Sequence, residues 1–156
     1  MFNDTVAAPG VSKYVLYRRI KEWFKDNSTT ENSELKMSNP DSGRLVGKCN
    51  FTKRCTITDS SGVKHQLDFR IKYTVFVQIK DNVSYITLWG FWATINGDDH
   101  MGADITSMYQ AIKDFQSKKM SEMDKQNSQC LIDVLDETNT RATGVLASIK
   151  KATNKN

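Results

Sequence analysis

The chain has 156 residues and a formal net charge of +4, with 38% hydrophobic, 10% aromatic and 26% charged residues. This composition is typical of a globular domain with its own core, and no window approaches the roughly 18 apolar residues of a membrane span. A transmembrane segment and a disordered chain are therefore excluded, and the net charge is too small to indicate a nucleic-acid-binding protein by itself.

The first residues lack the basic and apolar regions of an export signal. Two interpretations of the location follow. The protein is either cytoplasmic or virion-associated, or it is a periplasmic or cell-envelope protein whose signal has been removed.

Residues 12–25 carry apolar side chains at steps of three and four, which predicts an amphipathic helix with Ser12 as its N-cap. A polar tract at residues 26–34 predicts a loop. A short strand then turns at residues 39–43 into a second strand over residues 45–58. The helical stripe consists of Leu16, Tyr17, Ile20, Trp23 and Phe24.

Residues 63–79 have the clearest pattern in the chain, because every odd position except His65 is apolar and every even position except Phe76 is polar. Successive side chains of a strand point to opposite faces, so the alternation predicts a strand with one face on a core and the other in water. His65 falls in the inward set, where we expect a hydrogen-bonded core or rim side chain.

The next strand, residues 83–95, is apolar on both faces. The alternation predicts that Tyr85, Trp89 and Phe91 share one face and that Trp92 lies on the other. Only one face can pack on helices, so the other needs cover from a partner or a ligand. Since aromatic side chains dominate binding energy at interfaces, these four residues are the binding candidates.

Residues 96–102 are rich in Gly and Asp and predict a loop. Helical stripes follow at residues 105–115 and 131–149, and Ser121 to Asp124 form a capping box before the second of them. The last helix is expected to fray from Lys150 onward.

This order of elements predicts an α+β fold, an antiparallel sheet of four to five strands with helices packed on one face. We expect residues 1–115 to form the α+β domain. Residues 116–156 are expected to form a C-terminal helical extension that packs on the same domain.

Several short segments resemble a known family. They are Val11–Tyr17, Glu22–Phe24, Asp41–Lys48 and the turn within Ile79–Tyr85. Together they resemble the Bacteroidetes family called domain of unknown function 4468, over residues 9–115. The resemblance implies a TBP-like fold with a curved antiparallel sheet, and an exported protein, since members usually carry an export or lipoprotein signal. No catalytic residue is known for that family, so the resemblance implies no site.

The three cysteines, Cys49, Cys55 and Cys130, include no CxxC pair, which argues against a zinc site. A disulfide between Cys49 and Cys55 is one option in an oxidising compartment. Buried reduced cysteines are the expected state. No metal and no cofactor is expected.

Asp98, Asp99 and His100 place two carboxylates beside an imidazole. Such residues can bind a hard cation or act as a general base, but an acidic turn that caps the following helix explains the same residues without any site and is the expected interpretation. His65 has no accompanying nucleophile motif such as GxSxG. We therefore predict no catalytic residue and no enzymatic activity.

Charge is distributed unevenly along the chain. Residues 39–80 carry 8 Lys/Arg against 3 Asp/Glu, a net +5, whereas residues 81–115 carry 1 against 5, a net −4. A weak basic patch could meet phosphates, but it lacks interleaved aromatic side chains. The patch consists of Arg44, Lys48, Lys53 and Arg54.

The sequence thus predicts a non-enzymatic binding module whose aromatic sheet face meets a protein partner, a second copy of itself or an apolar small ligand. A structural or assembly subunit, for instance of a bacteriophage particle, is the alternative. Nucleic-acid binding is less favoured.

Overall fold

The computed structural model describes three stretches of the chain, residues 1–28, 32–116 and 121–155, and for a few of these positions the backbone alone, namely 99–101, 115, 116 and 122. Six strands and three helices lie in these stretches. The strands are β1 (Phe2–Ala7), β2 (Glu34–Asn39), β3 (Arg44–Thr58), β4 (Lys64–Lys80), β5 (Val83–Ile95) and β6 (Asp98–Asp104). The helices are α1 (Lys13–Asp26), α2 (Ile105–Gln116) and α3 (Glu122–Thr153).

The strands form one antiparallel sheet in the order β1-β5-β4-β3-β2, with β6 also paired to β5. The predicted α+β class is confirmed. Strands β1 and β6 were not predicted from the pattern, and β6 replaces the loop expected at residues 96–102. Both are short strands paired to β5, and the polar residues within them hide any apolar–polar alternation in the sequence.

The alternation of β4 is confirmed between Phe69 and Ile79, where every odd position is buried. The expectation that His65 belongs to the inward set is wrong, because its side chain is exposed near the start of the strand. Its Nε2 lies 2.7 Å from the Asp59 carboxylate at the preceding turn. Hydrogen bonds from Ser61, His65 and the Val63 amide lower the pKa of the Asp59 carboxyl.

Helix α1 buries the predicted apolar stripe in full. Its N-terminus is capped differently from the prediction, because the Ser12 side chain makes no capping hydrogen bond. Instead, the Lys13 amide donates to the Asp81 carboxylate at 2.8 Å, and the Gly10 amide donates to the Asn82 side chain at 2.8 Å. The turn between β4 and β5 therefore supplies the cap of a helix that begins 68 residues earlier.

Replacing Asp81 by alanine is expected to lower the free energy of unfolding by about 1 kcal/mol, because an orphan amide at the helix N-terminus loses a charged acceptor. Urea denaturation followed by circular dichroism measures the change. Asp26→Ala, at the C-terminal end of α1, is the matched control. It should be neutral or slightly stabilising, because a carboxylate interacts unfavourably with the partial negative charge at a helix C-terminus. Equal effects of the two substitutions would contradict the capping role of Asp81.

The chain divides into two compact units. The first unit comprises Met1–Asn50, Lys72–Gly90 and Arg141–Asn156. In it the ring of Phe24 occupies the space above Gly47 of β3, where a Cβ atom would overlap the ring. Trp23 Nε1 donates to Ser148 Oγ of α3 at 2.7 Å. Its largest fully buried side chains include Leu16, Ile20, Leu45, Val75, Val77, Ile86, Leu88 and Ile149.

The second unit comprises Phe51–Ile71 and Phe91–Thr140. A disulfide between Cys55 of β3 and Cys130 of α3 joins two of its elements, with a Cα–Cα distance of 5.6 Å. One turn away, the Asn127 side chain accepts from the Thr58 amide and donates to the Thr58 carbonyl, each at 2.9 Å. Its buried described side chains are Phe51, Phe69, Ile71, Phe91, Ala93, Thr94, Met108, Ile112, Cys130, Val134 and Thr138.

These bonds correct the expectation for the cysteines. Cys55 is bonded to Cys130 and not to Cys49, and neither of the two is a reduced thiol. Cys49 is buried and takes no part in a disulfide, as expected from the sequence. Its side chain belongs to the inward set of β3, with Leu45 and Phe51.

The capping box of α3 is confirmed, since Ser121 Oγ accepts from the Asp124 amide at 3.2 Å and donates to its carboxylate at 2.6 Å. The expected fraying from Lys150 is wrong, because α3 continues to Thr153. Thr153 is buried, and its carbonyl accepts a 2.8 Å hydrogen bond from the Arg19 guanidinium. No described helix combines the length and the apolar character needed to cross a membrane.

Candidate binding face on the outer side of the sheet

Strand β5 places large aromatic side chains on the outer side of the sheet in the first unit. Ser84, Ile86 and Leu88 are buried, whereas Tyr85 and Trp89 keep 40% and 50% of their surface exposed. Apolar residues of this size are usually buried in a core, so two on one exposed strand face make this face the candidate site.

The alternation of β5 reverses at Gly90, which has a φ of +65°. Such a backbone conformation is typical of a glycine in a β-bulge and shifts the following side chains by one position. Phe91 is consequently buried, at 8% exposure, and Trp92 is 43% exposed in the second unit. The prediction that Phe91 shares a face with Tyr85 and Trp89 is therefore wrong.

A lysine accompanies each of the two exposed rings of β5 in the first unit. The Lys48 ammonium lies 5.9 Å from the centroid of the Trp89 ring, and the Lys80 ammonium lies 5.6 Å from that of Tyr85. Cation–π attraction at these distances holds the ring and the charge together at the surface. We call Tyr85, Trp89, Lys48 and Lys80 the aromatic–lysine face.

Thr74 of the central strand β4 fixes Lys48 in place. Lys48 Nζ donates to Thr74 Oγ1 at 2.6 Å, and the threonine is only 3% exposed. Neighbouring strands β3, β4 and β5 thus contribute one side chain each to a connected cluster of Lys48, Thr74 and Trp89. Sequence reasoning missed Thr74, although its place among the outward residues of β4 was a usable signal.

The predicted basic patch divides between the two units. Arg44 and Lys48 belong to the first unit, and Arg44 Nε donates to Gln78 at 3.0 Å. Lys53 and Arg54 belong to the second unit, where Lys53 is half-buried. The four residues were grouped into one patch because they lie close together in the sequence, but they do not belong to one unit of the structure.

Arg54 is engaged in a local ion pair. Its Nε and Nη2 donate to the two carboxylate oxygens of Asp68 at 2.6 and 3.0 Å. This bidentate hydrogen bonding raises the pKa of Arg54 and lowers the pKa of Asp68. The guanidinium is therefore occupied by a partner on the neighbouring strand.

In the second unit, Trp92 lies against β6. A Cβ atom at Gly102 would overlap the Trp92 indole, so glycine permits the close approach of the ring to the backbone. Asp104, opposite Trp92 in the strand register, accepts a 3.0 Å hydrogen bond from the Ser107 amide and caps α2. Ser107 accordingly lowers the pKa of the Asp104 carboxyl.

The candidate group at residues 98–100 lies partly outside the described residues. The structure describes Asp98 as an exposed residue at the start of β6, whereas the side chains of Asp99 and His100 are not described. In the described part of the chain, no group of three or more His, Cys, Asp or Glu side chains could hold a metal ion.

Two solved structures share this fold. A crystal structure of a DUF4468 family protein from Bacteroides ovatus matches 99% of this chain and 86% of its own, with a TM-score of 0.67 and 13% identity. A crystal structure of a TBP-like protein from Parabacteroides distasonis matches 97% of this chain and 90% of its own, with a TM-score of 0.55 and 14% identity.

The comparison with curated proteins finds no match. The family model described as a domain of unknown function with TBP-like fold matches residues 2–91, which is more than half of the chain. Strands β1 to β4, helix α1 and the exposed aromatic residues Tyr85 and Trp89 all fall within that match. The chain therefore belongs to the family of domains of unknown function DUF4468, with an α+β, TBP-like fold.

Proposed function

We propose that the protein is a non-enzymatic binding module that docks a protein partner on the aromatic–lysine face. The observation that carries this proposal is the 50% exposure of Trp89 on strand β5, with Tyr85 exposed on the same face. Cation–π contacts orient both rings, so little conformational entropy is lost when a partner covers them.

The binding free energy expected from covering the Trp89 ring is as large as that of a dominant residue in a protein interface. A tryptophan side chain offers about 200 Å² of surface, and half of it is exposed at Trp89. At about 25 cal/mol per Å², covering that half contributes about 2.5 kcal/mol to binding. This value falls in the range measured for the dominant residues of protein interfaces.

The test is selection of peptides from a displayed random library on the immobilised full chain, followed by affinity measurement with the Trp89→Ala variant. We expect selected peptides to bind the variant at least about 10-fold more weakly than the parent protein. Removing the ring is expected to lower the free energy of unfolding by about 2 kcal/mol at most, because half of it is already covered, and urea denaturation should show that the variant is still folded under the assay conditions.

Tyr109→Ala is the matched control. Tyr109 is 49% exposed and has the Lys113 ammonium 4.7 Å from its ring centroid, but it lies on α2 and not on the sheet. Its removal should leave peptide affinity unchanged. If the selected peptides bind Trp89→Ala and the parent equally, the aromatic–lysine face is not the docking surface.

A further inference from the structure

The charge of the outer strand positions in the first unit indicates the chemistry of the partner. In β3 and β4 several of the outward positions that alternate with buried residues carry cations. These cations are Arg44, Lys48, Lys72 and Lys80. Among the described residues of that unit, Glu34 is the one carboxylate at an outward strand position, and it lies 2.5 Å from the Lys36 ammonium. The surface around Tyr85 and Trp89 is therefore positive.

The lysines of the aromatic–lysine face are placed to receive carboxylates. Lys48 is held by Thr74, which takes one of the three N–H donors of the ammonium group. Lys80 lies beside Tyr85 in the same manner as Lys48 lies beside Trp89. Tyr85 and Trp89 lie four residues apart on β5, about 13 Å at about 3.3 Å per residue, so an extended segment of about five residues is long enough to reach both ammonium groups.

We propose that the partner docks through an acidic protein segment, in which carboxylates pair with Lys48 and Lys80 while apolar side chains contact the parts of Trp89 and Tyr85 that stay exposed beside the ammonium groups. This inference rests on the proposed function and deepens it by naming the partner's chemistry. Charge complementarity of this kind steers association and selects the partner more than it raises affinity.

Nucleic acid is the competing anionic partner, and the ring geometry disfavours it. Single-stranded nucleic acids bind sheet faces by stacking bases on aromatic rings. Here ammonium groups already lie over the rings of Tyr85 and Trp89, so a stacked base would have to displace them. A carboxylate needs no such displacement, since it pairs with the ammonium group where it lies.

The experiment uses peptides that are selected from a random library on the full chain and whose binding depends on Trp89. We expect these peptides to be enriched in Asp and Glu, and expect replacement of those residues by Asn and Gln to weaken binding about 10-fold at low salt. The double variant Lys48→Met and Lys80→Met keeps the aliphatic stems and should abolish this difference. Lys113→Met, which removes the lysine beside Tyr109, should retain it.

The other outcomes separate the two proposals. Trp89-dependent peptides without acidic enrichment, or with equal affinity after neutralisation, would overturn the acidic partner and leave the binding face standing. Failure to select any Trp89-dependent peptide would overturn both. Tighter binding of single-stranded oligo(dT) than of every selected peptide, lost in Trp89→Ala, would replace the acidic segment with a nucleic acid.

Discussion

Replacing Cys55 and Cys130 together by alanine is expected to lower the free energy of unfolding by about 4 kcal/mol, the largest effect that we predict. The disulfide closes a loop of 75 residues, and the chain-entropy model assigns about 4 kcal/mol to a loop of that length. Alanine avoids burying a hydroxyl at Cys130, which is almost fully buried. Since domains are commonly stable by only about 5–15 kcal/mol, the loss is a large share of the total.

Guanidinium denaturation with and without a reductant measures this effect. Wild-type protein in reductant should unfold at the same midpoint as the double variant, and the double variant should be indifferent to reductant. Cys49→Ala, which keeps the disulfide, is the control and should respond to reductant as the wild type does. Three titratable thiols in the unfolded, non-reduced protein, instead of one, would rule out the bond.

The second large effect is expected at Gly47, where alanine should lower the free energy of unfolding by about 3 kcal/mol. The added Cβ would overlap the Phe24 ring, which is only 2% exposed and has no room to turn away. Overpacking of this kind costs about 1–3 kcal/mol when neighbours cannot yield, and a ring between a helix and a sheet lies at the upper end. The backbone of Gly47 has no positive φ, so the cost is steric.

A double-mutant cycle checks the cause. In a Phe24→Leu background the smaller side chain leaves space, so Gly47→Ala should cost clearly less than it does alone. Gly144→Ala is the control, because it lies inside α3 and nothing beyond its own stretch of helix lies within 4 Å of the position that a Cβ atom would take. That substitution should stabilise the protein by about 0.5–1 kcal/mol. Strict additivity at Gly47 and Phe24 would show that the ring is not the obstacle.

The sequence predicted those parts of the fold in which a repeated pattern is imposed by burial. Helix α1 has one face on the core, so its apolar stripe could be found from residue spacing alone. In β4 the two faces meet different surroundings, and the period of two appears clearly. Strands β1 and β6 were not predicted, because it is their pairing with β5 that makes them strands and this pairing leaves no repeated pattern in the sequence.

The residues of the candidate site were predicted only in part, because the backbone conformation of Gly90 changes which side chains share a face. Trp89 and Tyr85 were identified from their type and position, but Phe91 was assigned to the same face because strict alternation was assumed through Gly90. A single glycine inside a strand pattern is itself a bulge signal, and it was available in the sequence. The disulfide partner of Cys55 could not be predicted, because residue spacing alone does not say whether Cys49 or Cys130 lies beside it in the fold.

The cap of α1 also has a consequence for synthesis on the ribosome. The helix leaves the exit tunnel 68 residues before Asp81, which supplies its N-terminal acceptor. At about 5–20 residues per second, this delay lasts between about 3 and 14 seconds. A nascent helix of 14 residues is only marginally stable without its tertiary contacts. The apolar stripe that includes Leu16, Ile20 and Phe24 is therefore exposed, and accessible to chaperones, throughout that interval.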